Sequence, residues 1–178
     1  MFTTLANWIY KETRDSRTVV EFGAGFFTRL LMSPCEYKVG IEISAKYIKA
    51  ARERGRLRNC AAIRGDIRDY YKLLDPALYD CVMIIDVLEH LPAKDAKELI
   101  ASIMRNFNKL MLMVPAGKYI QKRDPTGFGE HYYQTHKSYW EIADVSVLGF
   151  QEIILIPGYH KIAPATGCIF ATWRKHGQ

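Results

Sequence analysis

The sequence predicts an α/β protein built on a doubly wound, seven-stranded, mostly parallel sheet that closes with an antiparallel hairpin. Three observations predict it. Between Thr18 and Pro115, apolar runs of strand length alternate with stretches of helical periodicity five times, the pattern of parallel strands joined by right-handed crossovers. The run YDCVMIID, Tyr79 to Asp86, has the continuous apolar centre of a strand buried on both faces. Near the C-terminus, FQEIILI and GCIFATW are separated only by a short segment containing Pro and Gly, which suits an antiparallel pair.

Periodicity places a first helix near Phe2 to Lys11 and a short β-branched strand at Thr18 to Phe22. A helix through Arg29 to Met32 is expected next, ended near Pro34. YKVGIEI, Tyr37 to Ile43, is the second strand. Ser44 is placed to cap the helix AKYIKAARERG, which stops at Gly55. CAAIRGD supplies a third strand, YDCVMIID the fourth and KLMLMVP the fifth, with a helix from Ala93 to about Arg105 before the last. A loop over about 115–137 follows, longer than an ordinary connection and rich in aromatics and histidines, as functional loops often are. A helix from about Ser138 to Val147 then leads into the final hairpin.

At 178 residues, with 49% hydrophobic and 25% charged, the chain has an ordinary globular balance and reads as one domain, 1–178. No apolar stretch approaches the roughly 20 residues of a membrane helix, so no membrane partner is expected. The N-terminus lacks the pattern of a secretory signal, and a cytoplasmic protein is expected. The four cysteines are far apart, without zinc or redox spacing, and read as reduced, small hydrophobes. Much of the +6 charge falls between Lys46 and Asp66. A solvated helix face is the first reading of it and a nucleic-acid patch the second.

VVEFGAGFFTRLL, from Val19, enters a glycine turn from a strand, where backbone N–H groups and close approach favour a bound nucleotide. Glu42 lies 19 residues beyond Gly23, the spacing at which a carboxylate accepts from ribose hydroxyls. Both features are common to NAD-dependent dehydrogenases and methyltransferases. With RGDIRD after the third strand and YDCVMIIDVLEHLP around the fourth, the chain resembles the class I S-adenosylmethionine-dependent methyltransferases, whose sheet is Rossmann-like. EFGAGF, GIEIS, GDI and DVLEHLP come in that family's order along the full chain.

The resemblance implies S-adenosylmethionine as cofactor. It implies that Glu21 approaches the methionine amino end, that Gly23, Ala24 and Gly25 line the donor's chain, and that Glu42, with Ile43 beside it, holds the ribose. Asp66 and Ile67 would hold the adenine, and Asp86 would border the sulfonium. The bland alternative for these carboxylates is a helix cap or a surface charge. The family usually has another glycine where Phe27 stands; the phenylalanine either packs between helix and sheet or narrows the donor site.

Methyl transfer by in-line displacement needs chiefly an acceptor held in place, with a base only where the acceptor carries a proton. The chain has no Asn-Pro-Pro-Tyr segment for exocyclic amines after the fourth strand and no cysteine between Cys81 and Cys168 for a cytosine mechanism. DVLEHLP resembles the branch that acts on small metabolites. His90 is then a candidate base, or alternatively orients the loop. In GEHYYQTHKSYW, His131 and Tyr132 are further catalytic candidates, with Tyr133, His136 and Tyr139 as acceptor contacts, while Trp140 reads as core. His131 and His136 lie five apart, a poor spacing for two ligands on one helix, and no metal site is expected. A small-molecule acceptor is the first expectation. A tRNA acceptor on the basic surface comes second, a non-catalytic donor-binding subunit third and an NAD-dependent oxidoreductase last.

Overall fold

In a computed structural model, residues 5–159 and 167–175 are described. They form a seven-stranded sheet of order β3-β2-β1-β4-β5-β7-β6. The chain divides into two compact units, Met1–Met83 and Ile84–Gln178.

In the first unit, helix α1 (Leu5–Thr13) buries Trp8 and Ile9, and strand β1 (Thr18–Phe22) buries its last four residues. The described helix begins at Leu5; Phe2 to Thr4 lie outside the described residues. β1 runs parallel to β2 (Tyr37–Glu42), from Thr18 opposite Tyr37 to Phe22 opposite Ile41. β2 runs parallel to β3 (Ala61–Arg64), ending with Glu42 opposite Arg64. Both pairings therefore bring the ends of the strands, and the turns that follow them, to one edge. Between β2 and β3 lies α2 (Ala45–Glu53). Ser44 caps it as expected, its Oγ accepting from Tyr47 N at 3.3 Å, and Gly55 follows it in the left-handed region at φ 68°.

The helix expected through Arg29 to Met32 is corrected to a single 3-10 turn, Leu30–Met32. The cause is local. Phe27 is left-handed at φ 61°, and Ser33, preceding Pro34, is extended at φ −74°, ψ 136°. The residues between them suffice for about one turn, too few to nucleate a helix.

The second unit contains the end of β4 (Cys81–Ile85), every residue of which is buried. It continues with α4 (Ala93–Asn106) and β5 (Lys109–Pro115), both close to the apolar runs that predict them. α5 (His131–Gln134) is one turn inside the long loop. α6 is Ile142–Ser146, shorter than the expected Ser138 to Val147, because Ser138 and Trp140 are bonded elsewhere, as described below. β7 (Cys168–Arg174) runs antiparallel to both β5 and β6 (Glu152–Ile156), which bears out the expected hairpin. Residues 160–166 of its connection lie outside the described residues.

Candidate active site

β1 ends in the turn Gly23-Ala24-Gly25. Gly23 N and Ala24 N donate to Ile41 O at 2.8 and 3.1 Å, which ties the turn to the end of β2. Gly23 (φ 69°) and Gly25 (φ 51°) both occupy the left-handed region that glycine enters without a steric cost. Glu42 closes the arrangement from β2. One carboxylate oxygen accepts from Gly25 N at 2.7 Å and the other from Ser44 N at 2.8 Å, and the residue is only 5% exposed. Such charge-assisted bonds hold the carboxylate in one place against the turn. A Cβ built on Gly25 meets nothing within 4 Å, so open space lies beside this turn. Glu21, one residue before the end of β1, is fully buried, and Ile43 is half-buried.

Phe27 answers its own question by packing. It keeps the backbone conformation of a glycine, yet its ring is completely buried. A Cβ on Gly40 would stand 2.3 Å from Phe27 Cε1 and 2.7 Å from Ala24 Cβ, so the ring occupies the volume that Gly40 leaves over β2. The next residue back, Phe26, is clamped from outside. Its ring lies 4.8 Å from that of Tyr47, Arg54 sits over it, and Arg56 Nη1 donates to its carbonyl at 3.1 Å. Part of the basic stretch thus braces the glycine turn. Lys49, on the same helix, stands 3.9 Å from Glu53, an exposed pair.

After β3, Asp66 is the N-cap of α3 (Ile67–Tyr70). Its carboxylate accepts from Arg68 N at 2.9 Å and from Arg68 Nε at 3.0 Å. Ile67 is buried, and its N–H belongs to a first helical turn, where N–H groups have no intrahelical acceptor. Gly65 is required beneath Tyr70: a Cβ there would fall 2.0 Å from the ring.

In the second unit, Asp86 follows β4 with φ 52°, and its N–H donates to Met113 O at 3.0 Å. A non-glycine residue held in this region, here an aspartate, marks the turn as constrained. The short turn Leu88–His90 follows and is stitched to a segment some fifty residues away. Lys137 N and Ser138 N both donate to Glu89 O, at 2.7 and 3.1 Å, and Ser138 Oγ donates to Leu88 O at 3.1 Å. Trp140 Nε1 in turn donates to Ser138 Oγ at 3.1 Å from a buried indole, while the Trp140 backbone carbonyl accepts from Gly117 N at 2.8 Å. These bonds bring His136 beside His90, with ring centroids 5.0 Å apart and edge to face. Nδ1 of His90 lies 3.4 Å from Thr135 O, and Nδ1 of His136 lies 2.7 Å from Tyr119 O.

The other loop candidates are placed differently. Buried Asp124 organises the loop, accepting from Thr126 N at 2.8 Å, Thr126 Oγ1 at 2.6 Å and Glu130 N at 3.1 Å. His131 Nδ1 accepts from Asp124 N at 3.0 Å, so that imidazole holds the loop together. Tyr132 is 68% exposed, with Lys137 Nζ 4.2 Å from its ring centre. Trp140 is core, as the sequence suggests. Sequence reasoning missed Ser138 and Glu89, whose importance lies in bonds between segments distant in the chain. Among the described residues, no helix is long and apolar enough to cross a membrane.

A model of the methyltransferase domain matches residues 20–109. No curated protein sequence matches the chain. Among solved structures, the PH0226 protein of Pyrococcus horikoshii OT3 is similar at a TM-score of 0.68 and 18% identity, over 96% of this chain and 87% of that one. The N-terminal domain of EvdMO1 with SAH bound is similar at 0.66 and 15%, over 99% and 83%. The small RNA methyltransferase HEN1 is similar at 0.65 and 19%, over 97% of this chain but 25% of that one. At these identities the structures establish a shared fold. The matched domain covers half the chain and contains the glycine turn, Glu42, Asp66 and the DVLEH segment, and on that match the chain belongs to the class I S-adenosylmethionine-dependent methyltransferase family.

Proposed function

We propose that the chain, with residues 1–178 acting as one catalytic domain, transfers a methyl group to a small-molecule acceptor. The observation that carries the reading is the anchored Glu42 carboxylate beside the open space at Gly25. S-adenosylmethionine, when bound, supplies a methyl group already activated on a sulfonium. The residues present fit it. A carboxylate accepts at about four positions, so ribose hydroxyls can be added to the two backbone donors on Glu42. Gly23, Ala24 and Gly25 would line the donor, with Ile43 beside the ribose. Ile67 N–H would meet the adenine ring. Asp66 would accept from the adenine amino group while still capping α3. By the family resemblance, Glu21 would approach the methionine amino end, and Asp86 would border the sulfonium.

For the acceptor, we assign the polar contact to His90, which the bonds from Ser138 and Lys137 to its turn hold beside His136. His131 has its Nδ1 committed to Asp124 N, and Tyr132 is largely solvated, so they receive lesser parts at the acceptor. Against an RNA acceptor stand Arg54 and Arg56, which brace Phe26. HEN1 keeps RNA in the test, and EvdMO1 was also studied in the presence of SAH and D-fucose.

The test is transfer of isotopically labelled methyl from the donor into separated small-molecule and RNA fractions. Label in small molecules, insensitive to salt, is expected. Label in RNA that falls steeply with salt would replace this reading with the nucleic-acid one.

A further inference from the structure

We propose that Glu89, His90 and His136 form a binding site for one divalent transition-metal ion. One ligand atom from each of the three residues lies within 4.8 Å of the others. Two imidazoles and a carboxylate are a donor set that suits zinc, cobalt, iron or manganese, and three protein ligands leave coordination positions open. The surroundings also suit a metal. The Nδ1 atoms of His90 and His136 face the carbonyls of Thr135 and Tyr119, an arrangement in which Nδ1–H donates to the backbone and Nε2 becomes the ligand atom. Glu89 is buried, and its own carbonyl is fixed by Lys137 N and Ser138 N.

Around a tetrahedral ion with bonds of about 2.1 Å, ligand atoms stand about 3.4 Å apart. The observed upper limit of 4.8 Å therefore calls for an inward movement of about an ångström, within reach of side-chain rotation. The pairing discouraged by chain spacing, His131 with His136, is not the pair that converges here. His90 comes from the turn after β4, and only the fold places it against His136.

Resting on the methyltransferase reading, the open positions would take a hydroxyl oxygen of the acceptor. Its proton would then be lost to solvent at a lowered pKa, with His90 serving as ligand and not as base.

The probe is Co2+, titrated into the whole protein and followed by its visible absorption, with Zn2+ added to displace it. One equivalent is expected to bind. Glu89→Gln, His90→Ala and His136→Ala should each weaken binding at least about tenfold, while His131→Ala should leave it unchanged. His136→Gln, which keeps a donor toward Tyr119 O, stands in if the alanine variant does not fold. Absence of stoichiometric binding, or binding unaltered in all three ligand variants, overturns the site. Calorimetry with S-adenosylmethionine on the same samples separates the two claims: donor binding without Co2+ binding refutes only the metal site, and Co2+ binding without donor binding refutes only the donor reading.

Discussion

Phe27 and Gly40 show how one buried ring dictates the residue type it faces on a neighbouring strand. Truncating a buried phenylalanine costs about 3–5 kcal/mol, so Phe27→Ala should lower stability by that order in denaturant unfolding. Gly40→Ala should cost about 1–3 kcal/mol through the clash with the same ring. In the double variant the clash with Phe27 is gone, and the combined loss should be smaller than the sum. Strict additivity would show that the ring does not fill the space over Gly40. Asp80 gives a prediction about pH. Burial pushes its carboxyl up, but bonds from Thr18 N at 2.9 Å, Arg17 N at 2.7 Å and Thr18 Oγ1 at 3.0 Å, with the Arg17 charge, outweigh that and hold it below the ordinary value. A depressed aspartate adds stability above its unfolded pKa of about 3.9 and loses it as pH falls through the lower folded value. Asp80→Asn should therefore be less stable than the native protein near neutrality, with the gap narrowing below about pH 4. A gap that stays constant down to the lowest measurable pH would contradict this.

At the scale of elements, the segment from Thr135 to Trp140 is held by bonds to the turn after β4. Ser138 is its centre, donating to Leu88 O and accepting from Trp140 Nε1 in a buried setting. Ser138→Ala leaves that indole N–H without its acceptor, at a cost of about 1–3 kcal/mol. It should also raise hydrogen exchange at Lys137 and its neighbours more than in α4, and equal changes in both would argue against a specific stitch. The strands were legible because burial on both faces writes a continuous apolar run, and KLMLMVP coincides with β5. The helix after the glycine turn was not, since its periodicity gave no hint that Phe27 would be left-handed. α6 was overextended because Ser138 to Trp140 directly adjoin the helical stretch but bond to residues near Leu88 and Ala116. Neither contact is visible in a local window.

For the whole molecule, the mostly parallel sheet with its closing hairpin was legible though its strand order was not, and the family was legible because four short segments come in that family's order along the chain although each is weak alone. Glu42 was singled out by its spacing to Gly23, and in the structure its carboxylate accepts from Gly25 N and Ser44 N. The convergence of His90 and His136 was not identifiable, because 46 positions of sequence separate them and tertiary bonds alone bring them together. Net charge alone did not show that Arg54 and Arg56 of the basic stretch are engaged with Phe26.

The most direct measurement is calorimetric titration of S-adenosylmethionine, with NAD in parallel, into the native protein and Glu42→Ala. Each variant's melting should be followed alongside, since Glu42 also ties the turn to β2. Hydrogen bonds to a charged group contribute about 1.5–3 kcal/mol, so the native protein should bind the donor and folded Glu42→Ala should bind it about ten- to a hundredfold more weakly. Native protein that binds NAD and not S-adenosylmethionine, or a folded variant that binds the donor as tightly as the native protein does, would contradict the account.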